Sequence, residues 1–312
     1  MSSVPSQNSF VDGVESSRRD TFMAIEAAKQ LTSNGTEYKY DEKDVILYNL
    51  GIGAEATQLN LVFERSDDFE TLPTFGTIPP YSSIPPFNPD LPYTMEDILP
   101  KFSLPMLLHG EHYLEIKRYP LPTSGILVSH SKVVEVIDKG TAAIIITAAT
   151  TKDAITGDEV FYNEFSLFVK DAGGFGGPRK VSDRGAATAV NNPPVDREPD
   201  LVVEEKTTRQ QAALYRLSGD LNPIHIDPGV SRINGFEVPI LHGLCTFGIA
   251  GKHIHQNFGR ISNMKVRFAG VVIPGQTLQT KMWKEGKRIV YQVVVVETGK
   301  LAISNAAAEL ID

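Results

Sequence analysis

The chain has 312 residues, 41% of them hydrophobic and 22% charged, with Lys+Arg 30 against Asp+Glu 38. That size and balance suit a folded protein with a sizeable core and exclude wholesale disorder. A net charge of -8 argues against a general nucleic-acid binder, and the one cysteine, Cys245, excludes an internal disulfide framework or a multi-cysteine zinc site. No apolar run is long enough to cross a bilayer, and the polar stretch 1–20 has no segment of signal-peptide type. An intracellular protein without a membrane partner is expected, in which the sequon Asn34-Gly35-Thr36 stays unglycosylated.

Residues 1–36 are rich in Ser, Asn and charge and read as a mobile leader with one short amphipathic helix over 20–31. Six prolines, at 79, 80, 85, 86, 89 and 92, follow further along. Their fixed φ and missing N–H groups bar both a helix and a central strand, so an irregular extended loop is expected there. A second break begins Gly173-Gly174-Phe175-Gly176-Gly177-Pro178 and includes Asn191-Asn192-Pro193-Pro194. This is linker chemistry, and it sets the expected boundaries: leader 1–36, first half 37–185, linker 186–203, second half 204–312.

The two halves resemble each other. Pro105-Met106-Leu107-Leu108-His109-Gly110 answers Pro239-Ile240-Leu241-His242-Gly243. Strand-like runs at 132–137, 142–150 and 160–169 are matched by runs at 277–283, 289–297 and 301–310. Between them lie Gly-centred breaks such as Asp138-Lys139-Gly140 and Glu285-Gly286-Lys287, which signal hairpin turns. In the second half Leu244, Phe247, Ala250, Ile254 and Phe258 recur at helical spacing, which predicts a helix over 242–258. Each half therefore reads as a helix followed by an antiparallel meander, an α+β arrangement whose two copies form a pseudo-dimer within one chain.

The chemistry concentrates in Tyr215-Arg216-Leu217-Ser218-Gly219-Asp220-Leu221-Asn222-Pro223-Ile224-His225-Ile226-Asp227-Pro228. Gly219 and Pro223 make this a turn rather than a continuing helix, and Asp220 and His225 can converge on it. A carboxylate beside an imidazole supplies two proton-transfer groups, and Asn222 can orient a water or a carbonyl. Leu241-His242-Gly243 then opens the long helix, whose first N–H groups lack helical partners. Without a side chain, Gly243 lets a substrate oxygen approach its N–H, as charge developing on a carbonyl oxygen requires. Together these features point to chemistry at the carbons α and β to a carbonyl.

At this point the run 215–225 followed by 239–248 resembles the signature of the type 2, (R)-specific enoyl-CoA hydratases, the MaoC-like double hot-dog family. The same family forms the hydratase part of peroxisomal multifunctional β-oxidation enzymes. The resemblance extends from Asp44-Val45-Ile46-Leu47-Tyr48 to Asn305-Ala306-Ala307 and includes Leu72-Pro73-Thr74-Phe75, Leu108-His109-Gly110-Glu111, Lys265-Val266-Arg267-Phe268 and Pro274-Gly275-Gln276-Thr277. It implies a tandem hot-dog fold, each half a long helix wrapped by an antiparallel sheet, and reversible syn addition of water to a trans-2-enoyl-CoA giving the (3R)-3-hydroxyacyl-CoA. It also implies Asp220 and His225 as the catalytic pair, Asn222 as the water-positioning amide and the Gly243 N–H as oxyanion donor. His109, Gly110, Lys139, Leu221, Pro223, Ile224, Arg267 and Phe268 fall where the family contacts acyl-CoA. Which of Asp220 and His225 is the acid stays open, since coupled groups share their titration.

The first half keeps Leu-His-Gly without an Asp-x-Asn-Pro-x-His counterpart, so it is expected to shape a space for the acyl chain while the second half does the chemistry. Residues 260–288 hold seven cations against Glu285 alone, a stretch that could hold the phosphates of CoA. No cofactor and no metal are expected, and the resemblance implies a homodimer and the peroxisome. The ending Glu309-Leu310-Ile311-Asp312 is not a peroxisomal tripeptide. The dehydrogenase part of the multifunctional enzymes is missing from the chain. A biosynthetic dehydratase and a hot-dog thioesterase are the enzyme alternatives; an inactive acyl-CoA-binding protein is the alternative from another class. Gly51-Ile52-Gly53-Ala54-Glu55-Ala56 fits a dinucleotide fingerprint but lacks a βαβ unit around it. His253-x-His255 and His225-x-Asp227 are discounted as metal pairs because helix positions two apart diverge. Cys245 is expected to pack as a small hydrophobe.

Overall fold

A single sheet runs through the whole molecule and organises everything else. The structure, a computed structural model, describes residues 7–311, with side chains from residue 18 onward; residues 1–6 of the expected leader and Asp312 lie outside them. In chain order the elements are α1 (Gln7–Lys29), β1 (Thr36–Tyr40), α2 (Glu42–Gly51), α3 (Leu59–Val62), α4 (Met95–Ile98), β2 (Leu107–Ile116), β3 (Gly125–Asp138), β4 (Ala143–Asp153) and β5 (Glu159–Val169). The second half follows with β6 (Leu201–Lys206), α5 (Gln211–Tyr215), α6 (Pro228–Ile233), α7 (Gly243–Phe258), β7 (Ile261–Phe268), β8 (Thr277–Glu285), β9 (Arg288–Val295) and β10 (Lys300–Leu310).

The strand order is β1-β3-β4-β5-β2-β7-β10-β9-β8-β6. Read outward from the central antiparallel pair β2·β7, the two five-stranded halves have the same order, β2 answering β7, β5 answering β10 and β1 answering β6. This is the tandem hot-dog arrangement, with the pseudo-dimer built inside one chain. The six strand-like runs expected from sequence lie in β3, β4, β5, β8, β9 and β10, joined by the expected hairpins.

Helix α7 begins with His242 as its N-cap and buries Leu244, Phe247, Ile249, Ala250 and Ile254 in the main apolar core. Each large side chain buried this way contributes about 1.5–3 kcal/mol. Two glycines let first-half elements approach α7 closely. A Cβ on Gly248 would stand 2.5 Å from Ile52 Cγ2 beyond the end of α2, and one on Gly251 would overlap Thr74.

The first half departs from the expected symmetry. No long helix follows Leu108-His109-Gly110, which lies in strand β2. The matching Leu-His-Gly segments therefore occupy different elements, since Leu241-His242-Gly243 opens a helix and the topological partner of β2 is β7. Where α7 has its counterpart, residues 72–98 form 3-10 turns at Pro73–Thr77 and Tyr81–Ser83 and the one-turn α4. Proline explains the difference: repeated loss of the backbone donor prevents a continuous hydrogen-bond ladder. A buried relay ties this segment to the sheet, with His112 Nε2 3.1 Å from Asn163 Oδ1 and Asn163 Nδ2 donating to the Gly76 carbonyl at 3.1 Å.

The leader also differs from the mobile segment expected. Helix α1 continues to Lys29, and its Thr21, Ile25 and Ala28, spaced as one helical stripe, are buried. Ile25 and Ala28 join Met95, Ile98, Val133 and Phe165 in a second apolar cluster. Gly51 and Gly53 close α2 rather than a phosphate loop: Lys252 Nζ donates to the Gly53 carbonyl at 2.5 Å, and Gln211 Nε2 donates to the Gly51 carbonyl at 2.5 Å. Among the described residues no helix is long and apolar enough to cross a membrane.

Candidate functional site

The turn carrying the candidate pair is built by three local devices. A 3-10 turn at Arg216–Ser218 ends at Gly219, whose φ of 151° favours glycine. Asn222 caps the next 3-10 turn, Pro223–His225, with its Oδ1 accepting from the Ile224 N–H at 3.1 Å. Asp227 caps α6 through the N–H groups of Gly229 and Val230, so its carboxylate is used there.

These constraints bring Asp220 and His225 face to face. His225 Nε2 stands 4.0 Å from Asp220 Oδ2, with side-chain exposures of 11% and 13%. The other carboxylate oxygen, Oδ1, accepts from the Asn222 N–H at 3.1 Å. Nδ1 of His225 lies 2.8 Å from the Ile240 carbonyl. A carbonyl only accepts, so Nδ1 carries hydrogen and a neutral ring presents its lone pair at Nε2. Burial lowers the His225 pKa from its ordinary value, and the Asp220 charge and the Ile240 bond oppose that shift.

His242 completes the arrangement. Its Nε2 donates to the Asp220 main-chain carbonyl at 3.1 Å, and its ring stacks on His225 with centroids 3.6 Å apart. Burial, then the neighbouring His225, pushes its pKa well below the usual imidazole range. Asp220, His225 and His242 could each offer a metal-ligand atom within 4.8 Å of the others. His225 Nδ1 and His242 Nε2 are each taken up by a main-chain carbonyl, which leaves one nitrogen on each ring.

Gly243 follows as the first residue of α7, and a Cβ there would lie 3.0 Å from Phe268 Cδ1. The Phe268 ring is in turn 5.0 Å from the His109 ring. Burial holds the His109 imidazole down to about 4, and its Nε2 is buried without a hydrogen-bond partner. Gly110 occupies the irregularity in the β2·β5 register between His109 and Glu111. Leu221, Asn222 and Pro223 are exposed and Ile224 is half-buried, so they form an accessible rim on the turn.

Lys139 and Arg267 stand outside this cluster. Lys139 Nζ donates to the Arg179 carbonyl at 3.1 Å, on the β3–β4 turn and three strands from β2. Arg267 is 2.5 Å from Glu111 Oε1, its direct partner across β2·β7. The expected basic patch is also dispersed. Lys265 shares Glu111 at 3.5 Å and donates to the Ala189 carbonyl, Arg288 faces Glu309, and Arg260 lies over the Tyr119 ring. Glu111 and Glu309 lie outside the 260–288 window, so counting that window alone overstated its free charge.

Sequence reasoning missed the side chain of His242, the Ile240 carbonyl and Tyr81. Tyr81 comes from the proline-rich segment of the first half; burial, then the nearby Asp220 charge, pushes its phenol pKa well above the ordinary value. No spacing signal links it to residue 220. The two discounted histidines are held apart: His253 bonds Glu205 at 3.0 Å and Thr280 at 2.9 Å, whereas His255 faces Glu70 at 3.2 Å. Cys245 is buried, and burial pushes its thiol well above the usual range.

Comparison with known proteins now bears on the whole chain. Residues 38–171 match the MFE-2 hydratase 2 N-terminal domain and residues 190–306 the MaoC like domain. The probable enoyl-CoA hydratase 2 of Dictyostelium discoideum is 40% identical over 87% of this chain and 91% of its own length. The chain belongs to the enoyl-CoA hydratase 2 family. The peroxisomal hydratase-dehydrogenase-epimerase of Neurospora crassa is 56% identical over 92% of this chain and 31% of that protein. A MaoC-like dehydratase from Phytophthora capsici superposes with a TM-score of 0.80 at 29% identity, covering 92% of this chain and 99% of that one. Against four peroxisomal multifunctional relatives of the hydratase 2 family, this chain spans 31–49% of their length.

Proposed function

We propose that the chain catalyses reversible addition of water to a trans-2-enoyl-CoA, giving the (3R)-3-hydroxyacyl-CoA in fatty-acyl β-oxidation. The observation that carries this is the facing of Asp220 Oδ2 and His225 Nε2 at 4.0 Å beside the start of α7. That gap is wider than a direct hydrogen bond and suits a water held by both groups. In hydration, one member of the pair takes a proton from water as its oxygen bonds C3, while the other delivers a proton to C2. The pair ends with the number of protons it began with, so an internal transfer resets it. Both additions come from the pair's side of the substrate, hence syn stereochemistry.

The thioester oxygen gains negative charge as the water oxygen bonds C3 and loses it as C2 is protonated, and the Gly243 N–H at the positive end of α7 stabilises it. Asn222 spends its Oδ1 on Ile224, which leaves its amide N–H groups for the water or the product hydroxyl. His109 and Phe268 flank the acyl thioester from the first half and from β7, and the rim of Leu221, Pro223 and Ile224 contacts the acyl portion. The first half shapes the acyl-chain space, its proline-broken segment standing where the second half has a long helix. The scheme uses no metal or redox cofactor. A peroxisomal location is part of the same proposal, supported by the names of the relatives, and a homodimer is proposed with it on the family resemblance alone.

Incubation with crotonyl-CoA and a longer enoyl-CoA tests this. Loss of the enoyl absorbance with a (3R) product and no free thiol is expected. Release of thiol would make the chain a thioesterase, and strict dependence on a carrier-protein thioester would make it a biosynthetic dehydratase.

A further inference from the structure

We infer that His242 is a positioning residue for the proton-transfer pair, its Nε2–H holding the main chain of Asp220 while its ring backs the imidazole of His225. One buried side chain then sets where both groups stand. The inference rests on the reading of the Asp220–His225 pair above. The two side chains face each other at 4.0 Å, too far for a direct hydrogen bond, so their alignment has to come from what holds each of them.

His242 occupies the N-cap of α7, a position where Ser, Thr, Asp or Asn would bond the first free N–H groups of the helix. Its side chain makes no such bond. Nε2 donates instead to the Asp220 carbonyl at 3.1 Å, from 22 residues further along the chain. Asp220 lies on irregular backbone between the 3-10 turns at Arg216–Ser218 and Pro223–His225, and among the described residues no main-chain N–H bonds its carbonyl. The Asn222 N–H on Oδ1 fixes the carboxylate relative to the turn, and His242 fixes the turn relative to the helix. The same ring stacks on His225 with centroids 3.6 Å apart and 26° between planes. His225 is anchored at Nδ1 by the Ile240 carbonyl, a single bond about which its ring could pivot, and the face of His242 limits that pivot.

The platform itself is fixed. His242 is 1% exposed, its carbonyl accepts from the Cys245 and Thr246 N–H groups at 3.1 and 3.2 Å, and the Leu241 N–H before it donates to the Val272 carbonyl at 2.7 Å. Tyr215, fully buried, packs on the His242 ring with centroids 4.9 Å apart. The Asp220 carbonyl only accepts, so hydrogen sits on Nε2 and the lone pair on Nδ1, which is buried without a hydrogen-bond partner among the described residues. Burial, then the neighbouring His225, holds the pKa well below the usual imidazole range. The ring therefore stays neutral and does not repel the imidazolium that His225 becomes on taking a proton. A helix left without its side-chain cap and a ring nitrogen left unsatisfied are two departures from local stability at one residue, and such departures gather where function needs them.

The test is crotonyl-CoA hydration by His242→Asn and His242→Gln. Asparagine is a good helix cap but too short to reach the Asp220 carbonyl, so α7 keeps its start while the clamp is lost. We expect kcat to fall about tenfold or more, KM to stay within about twofold and Tm not to drop. Glutamine carries an amide N–H to about the place of Nε2 and should recover part of the lost kcat. In an Asp220→Asn background His242→Asn should cost little further activity, because His242 acts through the pair, whereas a loss of folded protein would scale both backgrounds alike. Wild-type kcat in His242→Asn, an equal fold-loss in the Asp220→Asn background, or a glutamine variant no better than the asparagine one overturns the inference while the pair's assignment stands. Wild-type activity in Asp220→Asn itself would remove the pair and this inference together.

Discussion

The Nδ1–H of His225 donates to the main-chain carbonyl of Ile240 at 2.8 Å, and this bond fixes which ring nitrogen faces Asp220. Ile240 sits just before the His242 cap of α7. The helix start and the proton-transfer turn are therefore one unit, joined a second time by His242 Nε2 on the Asp220 carbonyl. A shift of the helix start would rotate the imidazole and displace the Gly243 N–H, the proposed oxyanion donor, together.

Gly243 is held to its identity by Phe268. A Cβ there would approach Cδ1 to 3.0 Å, so Gly243→Ala forces the ring or the helix start to move. We expect kcat/KM to drop about tenfold or more with little change in the unfolding midpoint. Pairing it with Phe268→Leu, which frees the space, should recover part of the loss. Steady-state kinetics on the three variants checks this.

Acid stability follows from His109. Its folded value of about 4 lies below the unperturbed 6.5, so the folded state binds fewer protons than the unfolded chain. The associated stability is fully present above pH ~6.5 and is lost as pH falls toward ~4. His109→Gln should flatten the decline of Tm over that window relative to wild type. Parallel Tm curves would contradict the assignment.

Glu205 contacts two neighbours at once. It stands 2.7 Å from Lys252 Nζ, whose side chain is 3% exposed, and 3.0 Å from His253 Nε2. Glu205→Ala leaves the Lys252 ammonium buried with, among the described residues, only the Gly53 carbonyl as a hydrogen-bond partner. A loss of about 3 kcal/mol is expected from urea unfolding.

Much of the fold was legible because its signals are local. The hairpin breaks at Gly140, Gly157, Gly286 and Gly299 and the helical spacing of Leu244, Phe247 and Ile254 need no knowledge of distant partners. The Asp220–His225 pair was legible for the same reason: both lie on one short turn. What sequence misread depends on packing between distant segments. Three residues shared by 108–110 and 241–243 suggested equivalent elements, yet one set begins a helix and the other pairs in a strand. Glu111 meets Arg267 only once the halves pair, and the stripe Thr21, Ile25, Ala28 reads as part of a loose leader until a second core is found beneath it.

The central claim is that Asp220 and His225 move protons to and from a bound enoyl thioester. Its most direct test is the rate of crotonyl-CoA hydration by Asp220→Asn and by His225→Ala, measured beside acyl-CoA affinity. Turnover should fall by about two orders of magnitude or more in each while affinity stays within a few-fold. A rate near that of wild type in either variant would contradict the account.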